Sequence, residues 1–372
     1  MWITSSLKAA KAPVNIALGN FDGVHLGHQR VMAQVLSGLS TQLDVGAENR
    51  VIKKFSDRSI EALHSGVIAS GYSHLPRLAS SGNSESASDF SADFSKVAVE
   101  LPIGKPIPNP GIFNTVVTFS PHPQEYFSGI SRLLLTPVAE KTWWLAQLGI
   151  HQLVMLPFDR AMAGLSPENF VEKILIEGLQ AKRISVGSDF RFGKGRRGDA
   201  DGLQVIAQRH GVPVVQVPLM FEQGDRISSS RIRTALETGQ PQQATQLLGR
   251  PYTLTGRVVQ GKQLGRTIGF PTANLQIPTK KYLPCHGVYS VYVYGIQPEP
   301  LRGVMNIGNR PTVNGQTLSL EVHLLDWSGD LYGQLLTVSL ESFVRPEQKF
   351  DSLEKLKAQI VTDCDVATAA LS

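Results

Sequence analysis

A strand, a glycine turn and a helix follow one another in IALGNFDGVHLGH, residues 16–28, and this stretch constrains the fold more than any other. Its apolar start predicts a buried strand, and Gly19 and Gly23 mark the turn that follows. Apolar residues then recur at helical spacing as far as residue 36. Because backbone N–H groups at a helix start lack intrahelical partners, the stretch predicts an anion site.

Two histidines, His25 and His28, lie three residues apart at the mouth of this turn. Each can donate a hydrogen bond to a phosphate oxygen and can stabilise charge that develops during phosphoryl-group chemistry. Two other interpretations stay open: a zinc-binding pair, for which no third ligand lies nearby, or two surface histidines with no role. The strand, the turn, the histidines and the helix together favour a nucleotide site.

Composition limits the classes of protein to consider. The chain has 372 residues, enough for two domains or more, and its net charge of +5 suits anionic ligands such as nucleotides. There is no polybasic run or RNA-binding signature, so we expect no nucleic-acid partner. The two cysteines, Cys285 and Cys364, indicate a reducing compartment without a disulfide framework. No signal peptide or membrane-spanning apolar stretch is found, and few residues precede the first predicted strand to form an organellar leader, which predicts a cytoplasmic protein without a membrane partner.

The order of the predicted elements indicates a doubly wound parallel sheet. Strands and helices alternate from residue 114 onward, beginning with the β-branched run of NTVVTFSPHP. A helix is predicted at 137–148, and SPENFVEKILIEGL predicts another with a serine cap. Ligands of such sheets lie beyond the carboxyl ends of the strands, so GNFDG, FSPHP and GSDFRFG should meet at one edge.

Two further segments of this region suit phosphate. The loop FRFGKGRRGD combines glycines with four basic residues, although a solvated charge run is the alternative. The segment DRISSSRIR places three serines and two further arginines at a helix start, where serines are usually only caps. The residues concerned are Arg191, Lys194, Arg196, Arg197, Ser228, Ser229, Ser230, Arg231 and Arg233.

A segment rich in Ser, Gly, Asn and Ala interrupts this pattern at about residues 38–111. Such a composition cannot bury enough apolar surface to offset the entropy lost on ordering. We therefore interpret the segment as a mobile surface insertion. The alternative is a segment that becomes ordered when a partner binds.

Short alternating strands with closely spaced turns begin near Leu248 and are typical of an antiparallel barrel. FDSLEKLKAQI then predicts a helix, after which we expect the last ten or so residues to fray. Within the barrel, Thr272 and Asn274 offer hard oxygen ligands for Mg²⁺ with ATP, although PTAN alone is more often a turn. Glu321 can take a proton from a substrate hydroxyl, although a lone glutamate on a strand is most often a surface residue.

The segment GNFDGVHLGH resembles the HxGH signature of the nucleotidylyltransferase superfamily, in the longer form typical of prokaryotic FAD synthetases. Apart from the insertion, residues 12–240 resemble the FMN adenylyltransferase module, with TFSPHP, VGSDFRFGKGRRGD and ISSSRIR in order; Ser230 stands where the family usually has Thr. The resemblance implies catalytic roles for His25 and His28. It implies flavin binding at Phe119, Pro121 and His122, and ATP or phosphate binding at Gly19, Phe21, Gly23, Gly27, Asp189, Arg191, Ser228, Ser229 and Arg233.

Residues 248–360 resemble riboflavin kinase, with GRTIGFPTANL, GVMNIGNRPTV, LEVHLLDWSGDLYG and FVRPEQKF in order. The resemblance implies a six-stranded flavin-binding barrel with a terminal helix. It also implies that Thr272 and Asn274 lie at Mg²⁺–ATP and that Glu321 is the catalytic base. The other implied contacts are ATP at Gly265 and Gly269, and flavin at Asn306 and Arg345.

We therefore predict an α/β plus β protein that is a bifunctional enzyme of FAD synthesis. A doubly wound adenylyltransferase domain at 1–247 would transfer AMP from ATP to FMN, and a kinase domain at 248–372 would phosphorylate riboflavin. Riboflavin, FMN and ATP are the expected partners, Mg²⁺ the expected cofactor, and a monomer or weak oligomer the expected state. The alternatives are an enzyme with one active half and a flavin-binding carrier.

Overall fold

The structure is a computed structural model that describes residues 1–36, 53, 99–100, 111–261, 264–312 and 315–372. Contacts divide the described residues into two units, the first ending at Ser229 and the second running from Ser230 to Ser372. The predicted insertion at about 38–111 lies almost entirely outside the described residues. The functional boundary predicted at residue 248 stays a prediction.

Strands and helices alternate along the first unit. Its strands are β1 (Trp2–Thr4), β2 (Val14–Leu18), β3 (Val99–Glu100), β4 (Phe113–Ser120), β5 (Gln152–Pro157), β6 (Ala181–Gly187), β7 (Arg191–Phe192), β8 (Gly198–Asp199), β9 (Val214–Val217), β10 (Phe221–Glu222) and β11 (Asp225–Arg226). Its helices are α1 (Leu26–Ala33), α2 (Pro123–Ser128), α3 (Val138–Gln147), α4 (Arg160–Gly164), α5 (Pro167–Asn169) and α6 (Ala200–Gln208), with a π-helix at Phe170–Gly178 and 3₁₀ turns at Leu7–Ala9 and Lys194–Arg196. Helix α7 (Ser229–Glu237) begins at the last residue of this unit.

Six of these strands form a parallel sheet in the order β1-β5-β4-β2-β6-β9, and β3 pairs with β1 in antiparallel fashion. Residues 16–18 of the central strand β2 are each at most 1% exposed, because helices cover both faces. On one face Ile184 packs with core residues of the π-helix and α6. On the other, the hydroxyl of the next residue, Ser185, donates to the carbonyl of Val31 in α1. The predicted doubly wound sheet is confirmed.

The sequence analysis missed strand β1. The first strand was expected at the apolar run of residue 16, whereas residues 2–4 already pair in parallel with β5. A segment of three residues is too short to show a hydrophobic period. Ile3 is fully buried there. Strand β1 therefore adds one parallel strand next to β5 that was not predicted.

The second unit is built on a closed antiparallel barrel with the strand order β12-β13-β16-β15-β14-β17. Its strands are β12 (Tyr252–Val259), β13 (Ala273–Gln276), β14 (Gly287–Tyr294), β15 (Leu301–Thr312), β16 (Gly315–Leu324) and β17 (Leu335–Arg345). The helices are α8 (Pro241–Leu248), α9 (Leu264–Thr267) and the terminal α10 (Leu353–Ala370). The predicted six-stranded barrel with a terminal helix is confirmed.

Helix α10 extends further than expected. It continues to Ala370, so the predicted fraying of the last ten residues is wrong. Ala367 is buried against residues of the barrel, and the hydroxyl of Tyr292 in β14 donates to the carbonyl of Leu371 at 2.9 Å. These contacts between segments far apart in the sequence hold the end of the helix.

Replacing Asp363 with alanine should destabilise the second unit by about 3 kcal/mol, because removing one partner of a buried ion pair leaves the other uncompensated. Asp363 is 3% exposed, and its two oxygens accept hydrogen bonds from Nε and Nη2 of Arg345 at 2.8 and 2.7 Å. Urea unfolding of the whole chain measures the effect. The control is Asp351→Ala, since Asp351 pairs with Lys355 at the surface. Equal unfolding midpoints for the two variants would contradict the prediction.

Candidate active sites

Three strand ends meet at one edge of the sheet in the first unit. Strand β2 lies between β4 and β6, and all three run in parallel. The loops GNFDG, SPHP and SDFRFG that follow them therefore lie at the same edge, as predicted. The end of β4 contacts the loop that follows β2, because the hydroxyl of Thr118 donates to the carbonyl of Asn20 at 3.3 Å.

Hydrogen bonds fix the loop that follows β2. The N–H of Gly23 donates to the hydroxyl of Thr136 at 2.9 Å, and the N–H of Thr136 donates to Oδ1 of Asp22 at 3.2 Å. The hydroxyl of Ser229 donates to the carbonyl of Asp22 at 2.8 Å. Phe21 is 1% exposed, so its ring anchors the loop in the core. The loop is therefore held in place before any ligand binds.

The predicted histidine pair forms a stack at the start of α1. The rings of His25 and His28 have centroids 3.5 Å apart and planes inclined by 15°. Nδ1 of His25 accepts the backbone N–H of His28 at 3.3 Å, so a neutral His25 ring carries its proton on Nε2 as a donor. Gly27 allows this arrangement, because a Cβ there would lie 3.2 Å from the His25 ring. The pair and the helix N-terminus together suit an anion.

His122, predicted to bind flavin, lies where β4 ends. It follows Pro121 and caps α2, where its Nδ1 accepts the backbone N–H of Gln124 at 3.0 Å. Burial and the neighbouring Arg132 hold the pKa of His122 below its usual value. The lowered pKa favours the neutral form of the ring, which can take part in hydrogen bonds without carrying a charge.

An aromatic cluster of Phe119, Tyr126, Phe127 and Phe158 lies beside His122. The Phe158 ring lies 5.6 Å from that of Phe119, 5.4 Å from Tyr126 and 5.9 Å from Phe127. Phe127 is 72% exposed, which is unusual for so large an apolar side chain. Of this cluster the sequence analysis named Phe119 alone. The available signal was the adjacent Tyr and Phe of HPQEYF in a chain with only 7% aromatic residues.

Ion pairs organise the basic loop after β6. Asp189 pairs with Arg226 at 2.5 Å, and Arg191 pairs with Asp199 at 2.9 Å. A backbone hydrogen bond from α6 and the Arg191 guanidinium both lower the pKa of Asp199. The predicted phosphate ligand Arg191 thus has an acidic partner in this structure. The remaining cations of the loop are exposed: Lys194, Arg196 and Arg197.

The boundary between the two units, at Ser229 and Ser230, divides the predicted group of serines and arginines. Ser228 and Ser229 belong to the first unit, and Ser229 contacts the loop after β2. Arg233 belongs to the second unit, where its guanidinium carbon lies 5.2 Å from the centre of the Tyr282 ring. A shared phosphate role for these residues stays a prediction.

A row of polar side chains crosses the barrel of the second unit at Glu321. Glu321 in β16 is the register partner of Asn274 in β13 on one side and of Asn306 in β15 on the other. Cross-strand partners share one face of a sheet. The predicted base therefore lies between the residues predicted to meet the metal and the flavin.

Two hydroxyls hold the Glu321 carboxylate. Ser319 donates to Oε1 at 2.9 Å, and Thr272 donates to Oε2 at 3.3 Å. Thr272 and Asn274 thus bring oxygen atoms close to one carboxylate, a donor set that fits Mg²⁺. Within the described ranges, no three or more His, Cys, Asp or Glu side chains form a group that could hold a metal. Thr272 and Asn274 therefore suit a metal ion that takes its other ligands from ATP and water.

Glycines allow the close packing around the Asn274 side chain and the Phe270 carbonyl. A Cβ on Gly261 would lie 2.3 Å from Nδ2 of Asn274. A Cβ on Gly265 would lie 2.3 Å from the carbonyl oxygen of Phe270, and Gly269 has a φ of +92°. The backbone therefore requires glycine at both predicted ATP-loop positions. The sequence analysis missed Gly261, whose signal was a glycine two residues after the end of strand β12.

Replacing Gly261 with alanine should lower the riboflavin phosphorylation that the resemblance implies by about 10- to 100-fold, because the new Cβ displaces the Asn274 amide by more than an ångström. A coupled assay for ADP with riboflavin as substrate measures the loss. FAD formation from supplied FMN should not change, which separates a local effect from unfolding. Gly164→Ala is the control, because a Cβ on Gly164 meets nothing within 4 Å. Full kinase activity in Gly261→Ala would contradict the packing argument.

Arg345 lies further along the same row. Val288 is the register partner of Asn306 on one side and of Arg345 on the other. The Arg345 guanidinium forms its bidentate ion pair with Asp363 of α10. The contact to flavin predicted for Arg345 stays a prediction, and the partner that the structure shows is the terminal helix.

Two family models match the chain. The model described as riboflavin kinase matches residues 248–371, and the model described as FAD synthetase matches residues 7–46 and 108–231. The gap in the second match falls within the predicted insertion at about 38–111. The FAD synthetase match falls on the α/β unit, and the riboflavin kinase match falls on the barrel.

Curated relatives described as bifunctional riboflavin kinase/FMN adenylyltransferase are similar to the chain. The protein of Escherichia coli strain K12 is 45% identical over 249 residues, 67% of this chain and 79% of the relative. The Haemophilus influenzae protein is 40% identical over 255 residues, 68% of this chain and 82% of the relative. The Bacillus subtilis protein is 36% identical over 265 residues, 68% of this chain and 81% of the relative.

A solved structure has a similar fold. It is described as a macrolide-efflux protein from Streptococcus pneumoniae, is 27% identical, and gives a TM-score of 0.71 with 98% of both chains covered. In this chain, none of the described helices is long and apolar enough to cross a membrane. The two family models and the curated relatives agree, and the chain belongs to the bifunctional riboflavin kinase/FMN adenylyltransferase family.

Proposed function

We propose that the chain converts riboflavin to FMN and then FMN to FAD, with one ATP consumed in each reaction. The observation that carries this proposal is the presence of two separate polar sites, each with the donors that its own reaction needs. One is the stacked histidine pair at the start of α1. The other is the carboxylate of Glu321, held by Thr272 and Ser319.

In the kinase reaction, Glu321 accepts the proton of the ribityl 5′-hydroxyl of riboflavin. The hydroxyl oxygen then bonds to the γ-phosphorus of ATP, while the bond from that phosphorus to the ADP oxygen breaks. Ser319 and Thr272 support this role, because they fix both oxygens of the carboxylate before substrate binds. The proposal assigns flavin binding to Asn306, and the pairing of Asn306 with Glu321 across the barrel supports it.

In the adenylyltransferase reaction, a phosphate oxygen of FMN attacks the α-phosphorus of ATP and pyrophosphate leaves. No covalent enzyme intermediate is needed. His25 and His28 donate to phosphate oxygens and stabilise the charge that builds up there. The glycine-containing loop, Ser228, Ser229 and Arg233 bind phosphate, and Asp189 fixes the nucleotide. The aromatic cluster beside His122 provides a face on which the planar flavin ring stacks.

The proposal includes Mg²⁺ at Thr272 and Asn274, where it would neutralise charge on the ATP phosphates. It assigns the adenylyltransferase to residues 1–247 and the kinase to residues 248–372. The unpaired state of both cysteines agrees with a reducing, cytoplasmic compartment. A monomer or weak oligomer with no nucleic-acid or membrane partner completes the proposal.

Two assays on the purified chain test this proposal. The first supplies riboflavin and ATP and measures ADP; the second supplies FMN and ATP and measures pyrophosphate. We expect both products with Mg²⁺, and loss of both after chelation with EDTA. A chain that makes only one product has a single active half. Tight flavin binding with no ATP consumed would identify a carrier.

A further inference from the structure

Lys141 is a buried lysine beneath the loop that follows β2. It lies on α3 and is 8% exposed, and Trp143 and Trp144 of the same helix are buried as well. Its Nζ donates to the carbonyl of Asn20 at 3.0 Å. Lysine is almost never buried without a partner, because taking an ammonium out of water is costly. Burial lowers the pKa of Lys141, and the nearby Asp22 carboxylate opposes that effect.

The hydrogen bond to Asn20 does not by itself require a lysine. The same carbonyl accepts a hydrogen bond from the hydroxyl of Thr118 at 3.3 Å. A neutral donor could serve the carbonyl without the desolvation cost of a charge. What a lysine adds at this position is a group that can carry positive charge below the loop, and the nearby Asp22 carboxylate favours its charged form.

That charge lies close to two parts of the proposed adenylyltransferase site. Asn20 and Asp22 belong to the loop after β2, and His122 lies at the end of β4. Burial and Arg132 are the main causes of the lowered pKa of His122, and Lys141 adds to the effect through its charge. A fixed positive charge in a dry setting stabilises nearby phosphate far more than an exposed one does.

We propose that Lys141 is a positioning residue of the adenylyltransferase: it holds the Asn20 carbonyl and places a buried positive charge under the ATP phosphates. The proposal rests on the adenylyltransferase function proposed above. The charge acts on the triphosphate through the loop, where it favours the negative charge that develops on the leaving pyrophosphate. It therefore affects kcat of FAD formation more than the KM for FMN.

Four variants of the full chain test the proposal. Lys141→Met removes the charge and the donor, Lys141→Gln keeps a neutral donor, and Lys141→Arg keeps the charge. Thr118→Val removes the second hydrogen bond to the same carbonyl and leaves the charge in place. Initial rates of FAD formation from FMN and ATP give kcat and both KM values. Riboflavin phosphorylation by the same samples reports whether each variant is folded.

We expect Lys141→Met and Lys141→Gln to lower kcat of FAD formation about 10- to 100-fold, with riboflavin phosphorylation within about twofold of the parent. Lys141→Arg should recover most of the rate, and Thr118→Val should lower it no more than about threefold. The proposal is overturned if Lys141→Arg, folded by the kinase criterion, is no faster than Lys141→Gln. It is also overturned if Thr118→Val loses as much as Lys141→Met, or if no Lys141 variant folds, since the role is then structural. A parent chain that makes no FAD would instead refute the proposed function.

Discussion

We expect the replacement of His28 with alanine to lower FAD formation from FMN and ATP at least about 100-fold and to leave FMN formation from riboflavin unchanged. The reason is the loss of one donor to a phosphate on which charge develops, an effect of that size in preorganised sites. Alanine also removes the ring that stacks on His25 at 3.5 Å, so the remaining imidazole loses its support. Chromatographic separation of FMN and FAD measures both activities in one sample.

The control for this variant is His210→Ala. His210 is an exposed histidine of the same unit, 3.5 Å from Glu172, and it lies outside both proposed sites. We expect no change in either activity for His210→Ala. Retained FAD synthesis in a folded His28→Ala variant would contradict the assignment of this site.

We expect the opposite result when Glu321 is replaced with glutamine: riboflavin phosphorylation should fall about 100-fold or more, and FAD formation from supplied FMN should not change. An amide has nearly the shape of the carboxylate and keeps oxygen and nitrogen atoms near Ser319 and Thr272, but it cannot take the proton of the ribityl hydroxyl. The loss therefore appears in kcat and not only in the KM for riboflavin. Initial rates over a range of riboflavin concentrations give both constants.

The barrel contains a matched control in Glu341. The hydroxyl of Ser339, two residues before it, donates to its carboxylate just as Ser319 donates to that of Glu321. Burial raises the pKa of Glu341, yet the residue lies outside the row that joins Asn274, Glu321 and Asn306. Glu341→Gln should leave phosphorylation within about twofold of the parent. An equal loss in both variants would show that removing either carboxylate disturbs the barrel.

Local patterns were sufficient to predict most elements of the fold. The apolar run at residue 16 and the helical spacing after His28 correspond to β2 and α1. Contacts between distant segments account for what was missed. Strand β1 has only three residues and is fixed by pairing with β5, and the end of α10 is held by contacts such as that of Tyr292.

The candidate sites were predictable as residue types but not as geometry. Spacing indicated that His25 and His28 lie together, but their stacking depends on Gly27 and on the cap at the start of α1. The alignment of Glu321 with Asn274 and Asn306 depends on the register of three barrel strands, which no local pattern encodes. Lys141 looked like an ordinary residue of a helix, and only the fold shows that it is buried below the loop.

The most direct test of the two-site account is a time course of the parent chain with riboflavin, ATP and Mg²⁺, in which the flavins are separated as they form. The account predicts that FMN appears first and that FAD then forms from it, while ADP and pyrophosphate are both released. If FMN accumulates without FAD, the histidine site is not an adenylyltransferase. If riboflavin stays unchanged while supplied FMN is still converted to FAD, the Glu321 site is not a kinase.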